Sequence, residues 1–320
     1  MSEDYVLNNS KYVDIIRRMI DNSTGSPLVT AKNVYQPGNP TNKPLISQIV
    51  RDLMLPGSRI IGKEHLVRLN QLAQRRKACL ILMEHFSNFD IPCFYELLEQ
   101  GPEECRKAAE SIVSVAGVKL NETNKLVLAF TEVFTRVVLY PARSFHAIKD
   151  PGELHEAEKR RAKINIAAMK MLNSLRKQGR LILVFPSGTR YRPWDPETGR
   201  GLREIDTYMK FYSYMVLVAI NGNTLLPNPN GRMDEDFTRQ DVMIYTVSPV
   251  RKCSEFRREA LRGHRHDEDP KQHVADEVMA ALKTLHDRTE RARQRLLADS
   301  QFPAGSPEPG SPGPGSPQYH

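Results

Sequence analysis

Cysteine is scarce in this chain, and none of it is paired in a CxxC spacing. Cys79, Cys93, Cys105 and Cys253 stand apart, two of them in or beside apolar runs, so reduced buried thiols are expected, not a disulfide framework or a zinc site. No apolar stretch approaches the ~18 residues that a membrane span needs. The densest runs, Cys79 to Met83 and Tyr214 to Ile220, have the length of buried strands. The opening MSEDYVLNNSKY lacks the basic start and apolar stretch of a signal peptide, which leads to the expectation of a cytoplasmic protein. Glycine-rich phosphate loops of the Walker or dinucleotide type are absent, and nothing calls for a cofactor. His264, His266 and His273 lie in a polar, turn-like stretch with no second cluster of ligands, so no metal is expected there. No internal repeat is present.

What the chain does have is ordinary globular composition and an excess of positive charge. Its 320 residues are 40% hydrophobic and 26% charged, enough for a sizeable core in one large domain or two smaller ones. The formal net charge of +8 favours anionic partners: phosphorylated metabolites, acidic lipid headgroups, an acidic carrier protein or nucleic acid. Simple solubility accounts for such a charge equally well. The arginines are not interleaved with aromatics in any recognised pattern, which argues against nucleic acid.

From residue 79 short apolar runs alternate with helical segments. CLILME (79–84), SIVSVA (111–116), RVVLY (136–140), LILVF (181–185), YMVLVAI (214–220) and VMIYTVS (242–248) read as buried strands. Helices are expected from Asp90 to Gln100, from Glu122 to Thr135 and over 151–178. In the last, Asp150 caps, Pro151 fits the first turn, and Ile164, Ala168, Met171, Leu172 and Leu175 form a core stripe before Gly179. The fold class predicted is α/β, with a largely parallel sheet flanked by helices. Residues 1–75 read as a small helical lead-in with helices at Tyr12–Ile20 and Leu45–Leu53. Residues 76–298 form the α/β body, ending in a charged helix after Pro270, and 299–320 form a disordered Pro/Gly/Ser tail.

Two segments, each following a strand, carry candidate chemistry. In Glu84-His85-Phe86-Ser87-Asn88-Phe89-Asp90, a histidine at a strand end is followed five positions on by an aspartate. The carboxylate could hold one ring nitrogen protonated and leave the other to accept a hydroxyl proton. The alternative is that Asp90 caps the next helix and His85 is a loop residue. The second segment, Phe185-Pro186-Ser187-Gly188-Thr189-Arg190-Tyr191-Arg192-Pro193, presents two arginines suited to gripping a phosphate, or else a pair of solvated loop charges. Lys159, Arg160, Arg161 and Lys163 form a further basic run, read as mainly a solvated face with one or two members near an anion.

Together and in this order the two segments resemble the glycerolipid acyltransferase superfamily. Its first motif is a His-x4-Asp box, and its third has the form Phe-Pro-Glu-Gly-Thr-Arg. Here the third reads FPSGTR, with Ser187 where glutamate is usual. With RYRP at 190–193 it looks more like the soluble plastid-type glycerol-3-phosphate acyltransferases. LYPARSF (139–145) falls where that family has basic phosphate-binding residues, with Ser144 in place of a histidine. EKRRAKINIAAMKML (158–172) looks like its basic-then-apolar helix, and YMVLVAINGN (214–223) takes the fourth-motif position without the usual proline. The resemblance covers about residues 45 to 250.

That resemblance implies His85 as the base and Asp90 as its orienter. It also implies Arg143, Ser187, Gly188, Thr189, Arg190 and Arg192 as substrate-binding residues. The implied partners are glycerol 3-phosphate and an acyl thioester of acyl carrier protein or coenzyme A, in phospholipid biosynthesis. Location would be cytoplasmic, with peripheral contact at the inner face of an anionic membrane. A lysophosphatidate acceptor, or a non-catalytic lipid-binding protein of the same fold, are the alternatives. For the tail, deletion from Phe302 onward is expected to leave the melting temperature unchanged, because its composition supports no packed core. A thermal scan of the truncated chain checks this; a drop of several degrees would show that the segment docks.

Overall fold

Every residue of the run CLILM is fully buried, which requires a strand covered on both faces. The computed structural model describes residues 9–141, 150–229, 235–264 and 269–299. In it the strands are β1 (Tyr35–Gln36), β2 (Arg59–Ile61), β3 (Cys79–Met83), β4 (Ile112–Gly117), β5 (Arg136–Leu139), β6 (Leu181–Val184), β7 (Tyr214–Asn221), β8 (Leu225–Leu226), β9 (Phe237–Thr238), β10 (Ile244–Val247) and β11 (Arg251–Lys252). The main sheet runs β1-β5-β4-β6-β3-β7-β10-β2, with β11 paired to β7; β8 and β9 form a separate two-stranded ribbon. The five central strands β5, β4, β6, β3 and β7 are mutually parallel, while β1 pairs antiparallel with β5, and β10 antiparallel with β7 but parallel with β2. The expected mostly parallel α/β sheet is what the chain forms.

Alternation along β3 divides the core in two. Cys79, Ile81 and Met83 pack with helices Lys43–Leu53, Lys63–Gln74 and Asp90–Glu99. Leu80 and Leu82 pack on the other face with helices Pro151–Lys177, Glu204–Phe211 and the long C-terminal helix Pro270–Asp299.

The helix over 151–177 forms as its sequence indicates. The Asp150 carboxylate accepts from the Glu153 N–H at 2.8 Å, and Ile164, Ala168, Leu172 and Leu175 are buried on one stripe. Its Asn165 amide then bonds both the N–H and the carbonyl of Tyr140, fixing the exit of β5. The single helix expected over 122–135 is instead two, Lys119–Glu122 and Lys125–Thr131. Asn124 breaks the run because its side chain accepts from the Val127 N–H and starts a new helix.

The lead-in contributes more than helices. β1 joins one edge of the sheet through β5 and β2 joins the other through β10, and a helix not foreseen in the sequence spans Lys63–Gln74. β1 and β2 are two and three residues long and only partly buried, too short for any periodicity to register. Arg160, from the basic run, is not merely solvated: it donates to the Val29 carbonyl and pairs with Glu122, tying the lead-in to the body. Arg143, Ser144, His266 and the tail from Phe302 lie outside the described residues. Among the described residues no helix is long and apolar enough to cross a membrane.

Ile81 sits at the middle of the central strand with no exposed surface. Ile81→Ala is expected to lower the unfolding free energy by about 2–5 kcal/mol, read from urea titration. A loss below 1 kcal/mol would mean that this layer of the core is not close-packed.

Candidate active site

β3 and β6 are adjacent and parallel, with Leu82 opposite Val184, so the segments that follow them leave the same edge of the sheet side by side. The two candidate segments, a hundred residues apart in sequence, are therefore in contact. The His85 ring stacks on Phe185 with centroids 3.8 Å apart and planes 11° from parallel. The Tyr191 N–H donates to the His85 carbonyl at 2.8 Å. In parallel sheets the carboxyl ends of strands are where ligands bind.

Asp90 organises the first segment. Its Oδ2 lies 2.8 Å from His85 Nδ1 and accepts from the N–H groups of Phe86 (2.7 Å) and Ser87 (3.0 Å). Oδ1 accepts from the Ser87 hydroxyl at 3.0 Å. Backbone N–H groups can only donate, so this carboxyl acts as an acceptor throughout and His85 Nδ1 carries the proton toward it. In the neutral ring Nε2 then holds the lone pair. Asp90 is 1% exposed, whereas the His85 side chain keeps 16% of its surface. The aspartate begins helix Asp90–Glu99, but no side chain caps that helix; the carboxylate reaches back to residues 85–87 instead. Tyr245 on β10 fixes the same turn by donating to the Asp90 carbonyl at 2.8 Å.

The second segment is a tight turn whose parts have unequal exposure. Ser187 is 4% exposed, and its hydroxyl donates to the Thr189 carbonyl at 2.7 Å. Gly188 is exposed in the left-handed region at φ +62°, with its N–H on the Phe185 carbonyl. Thr189 is half-buried. Arg190 is buried and paired with Asp236. Arg192 is half-buried; its N–H donates to the Thr198 hydroxyl at 2.8 Å, and its guanidinium makes no ion pair among the described residues. The two arginines thus differ: one is enclosed with a counter-ion, the other is available.

The family model named Acyltransferase matches residues 59–248, more than half of the chain. The chain belongs to the acyltransferase family. No curated protein matches it by sequence. The matched span includes both segments just described, so the two loops at the carboxyl ends of β3 and β6 are the candidate active site of an acyltransferase.

Other nucleophiles in this acyltransferase are poorly suited to acyl transfer. All four cysteines are free and buried, and burial pushes the Cys79, Cys93 and Cys253 thiols up to about 12. His273 Nε2 donates to the Ala260 carbonyl at 3.1 Å, and its ring stands edge-on to His264. Among the described residues no group of three or more His, Cys, Asp or Glu is arranged to hold a metal.

Sequence reasoning did not assign a role to Phe185 or find Asp236. Phe185 is inside the motif, and an aromatic directly after a strand beside a histidine loop was the available signal. Asp236 lies 46 positions from Arg190 with no motif of its own. Backbone N–H groups from Ser87 to Asp90 and in the Ser187–Gly188 turn are the donors that an oxyanion at this site would draw on. The N–H groups of Ser87, Phe89, Asp90 and Gly188 are engaged internally, whereas those of Asn88 and Ser187 make no hydrogen bond among the described residues.

A Cβ at Gly188 would lie 2.4 Å from Leu202 Cδ1. Gly188→Ala is expected to cost about 1–2 kcal/mol from the left-handed backbone, plus the displacement of Leu202. In the Leu202→Ala background the steric part disappears and the backbone part stays. If urea titration shows Gly188→Ala to be neutral in that background, the turn is not held at this φ.

Proposed function

We propose that this acyltransferase moves a fatty acyl group from an acyl thioester, carried by acyl carrier protein or coenzyme A, to the sn-1 hydroxyl of glycerol 3-phosphate. The observation that carries the reading is the His85–Asp90 bond, made to a carboxylate whose other contacts are all donors. His85 Nε2 takes the hydroxyl proton as the alkoxide oxygen attacks the thioester carbonyl. Asp90 holds the ring and stabilises the imidazolium, in the manner of a base and its orienter. The tetrahedral intermediate collapses by breaking the C–S bond, and the imidazolium returns its proton to the departing thiolate. Transfer is direct, so no acyl-enzyme is needed.

Arg192 is the phosphate ligand best supported by exposure, with Arg143 joining it on the strength of the resemblance. Arg190, paired with Asp236, acts in this scheme by holding the loop that carries Arg192. Ser187 shapes the turn, while Gly188 and Thr189 line the approach. Glycerol 3-phosphate is preferred as acceptor because SGTRYRP resembles the soluble plastid-type enzymes. A small acceptor draws most of its binding energy from its phosphate, which suits an arginine.

His85→Ala is expected to reduce kcat by at least ~10²–10⁴-fold in a folded protein, and Asp90→Asn to reduce it severely with KM little changed. Arg192→Ala should raise KM for the phosphorylated acceptor and leave KM for the thioester in place, with Arg192→Lys rescuing in part. Turnover is measured with each thioester against each acceptor. Near-normal kcat in His85→Ala would sink the mechanism. A kcat/KM for lysophosphatidate well above that for glycerol 3-phosphate would replace the acceptor and leave the base intact.

A further inference from the structure

We propose that His286, on the C-terminal helix outside the family-matched span, is a positioning residue for the site, bracketing His85 through Glu84 on one side and Phe86 on the other. This rests on the reading of His85 as the reactive base.

The contacts are specific. One Glu84 carboxylate oxygen accepts from the Ile220 N–H at 2.8 Å and lies 2.9 Å from His286 Nδ1. The Glu84 N–H donates to the Val218 carbonyl at 3.0 Å. Residue 84 is thus held at three points, two on β7 and one on the helix. The His286 ring centroid is 5.7 Å from that of Phe86, which stands edge-on to Tyr191. Tyr191 is the residue whose N–H bonds the His85 carbonyl.

Alternation explains why His286 supports the site without entering it. Residues 79, 81 and 83 face one core and residues 80 and 82 the other, so Glu84 continues the face on which the C-terminal helix packs, and His85 the opposite one. The helix is anchored there by Val274, Ala275, Val278 and Leu282, none of which has exposed surface. At His286 the same stripe turns polar as it reaches the carboxyl end of β7. Asn221 donates to both the His286 carbonyl (3.1 Å) and Glu290 (2.9 Å), and Arg293 pairs with Asp241 at 2.6 Å.

A carboxylate 11% exposed at a strand end is costly unless paired, and an apolar residue would serve packing better there. Burial pushes the His286 imidazole down, but Glu84, Glu290 and Asp287 outweigh it and hold the ring above its ordinary value. Glu84 therefore faces a ring whose protonated form its own charge favours.

The test compares three variants of the full chain. His286→Ala removes the bond, His286→Gln keeps an N–H donor for Glu84, and Leu282→Ala weakens the same helix without touching Glu84. For His286→Ala, kcat is expected to fall about 10- to 100-fold, the range for a sub-ångström to ångström misplacement, with both KM values little changed. The Gln variant should regain most of that loss. Leu282→Ala should keep its kcat at temperatures where it is folded.

In parallel, ¹⁵N-histidine NMR follows the His85 ring, assigned by the signal missing in His85→Gln. His286→Ala should shift it, and Leu282→Ala should not. Equal kcat losses in His286→Ala and Leu282→Ala, or an unmoved His85 signal in His286→Ala, overturns the inference. If the unaltered protein transfers no acyl group to any acceptor while the His85 signal responds as stated, the proposed function fails and the positioning role stands.

Discussion

The Asp90 carboxylate, almost wholly enclosed at the end of the central strand, is accepted into the fold only because four donors surround it. His85 Nδ1, two backbone N–H groups and the Ser87 hydroxyl all converge on its two oxygens. Hydrogen bonds to a charged group contribute roughly 1.5–3 kcal/mol each, and a buried carboxylate stripped of them would be too costly to retain. Satisfying that charge winds residues 85–90 into a closed turn. The turn in turn fixes which nitrogen of His85 is protonated, which way the ring faces, and where helix Asp90–Glu99 begins. Tyr245, reaching from β10 to the Asp90 carbonyl, carries the same constraint to the far side of the sheet.

The second loop is arranged around the first. Phe185 provides the apolar plate on which His85 rests, and Tyr191 reads the His85 carbonyl, so a shift of either loop is felt by the other. Within this loop the arginines divide the labour that charge alone would have assigned to both. Arg190 spends its guanidinium on Asp236, which holds the loop against the segment that leads into β9. Arg192 remains partly exposed beside it. A buried pair of this kind gives little net stability, but removing one partner is costly, so its value is in placement.

The acyltransferase-matched span ends before the last helix, yet that helix completes the layer behind the site. Its apolar stripe lies over β7 and reaches β10 on the sheet face opposite His85. Where the apolar surface runs out, at the carboxyl end of β7, His286, Thr289, Glu290 and Arg293 take over with hydrogen bonds to Glu84, Thr246, Asn221 and Asp241. The helix thus touches both the apolar core and the polar strand ends from which the candidate site projects.

Much of this could be read from local pattern. The long apolar runs at 79–83, 181–185 and 214–220 declare themselves as doubly covered strands because successive residues, which point to opposite faces, are apolar. The Asp150 cap and the stripe from Ile164 to Leu175 define their helix for the same local reasons. His85, Asp90 and the FPSGTRYRP loop were legible as candidates from their place after strands. Strand order was not local. Nothing in residues 79–90 says that β6, a hundred positions later, lies beside β3 and brings Phe185 against His85. Nor do they say that β1 and β2 from the lead-in close the sheet's edges. Burial of Arg190 on Asp236, and the bond from Glu84 to His286, join residues 46 and 202 positions apart. Such contacts follow from which apolar faces cover which, a property of the packed whole: the sequence by itself determined the long buried strands, the capped helix after Asp150 and the candidate side chains, and the tertiary structure decided their neighbours.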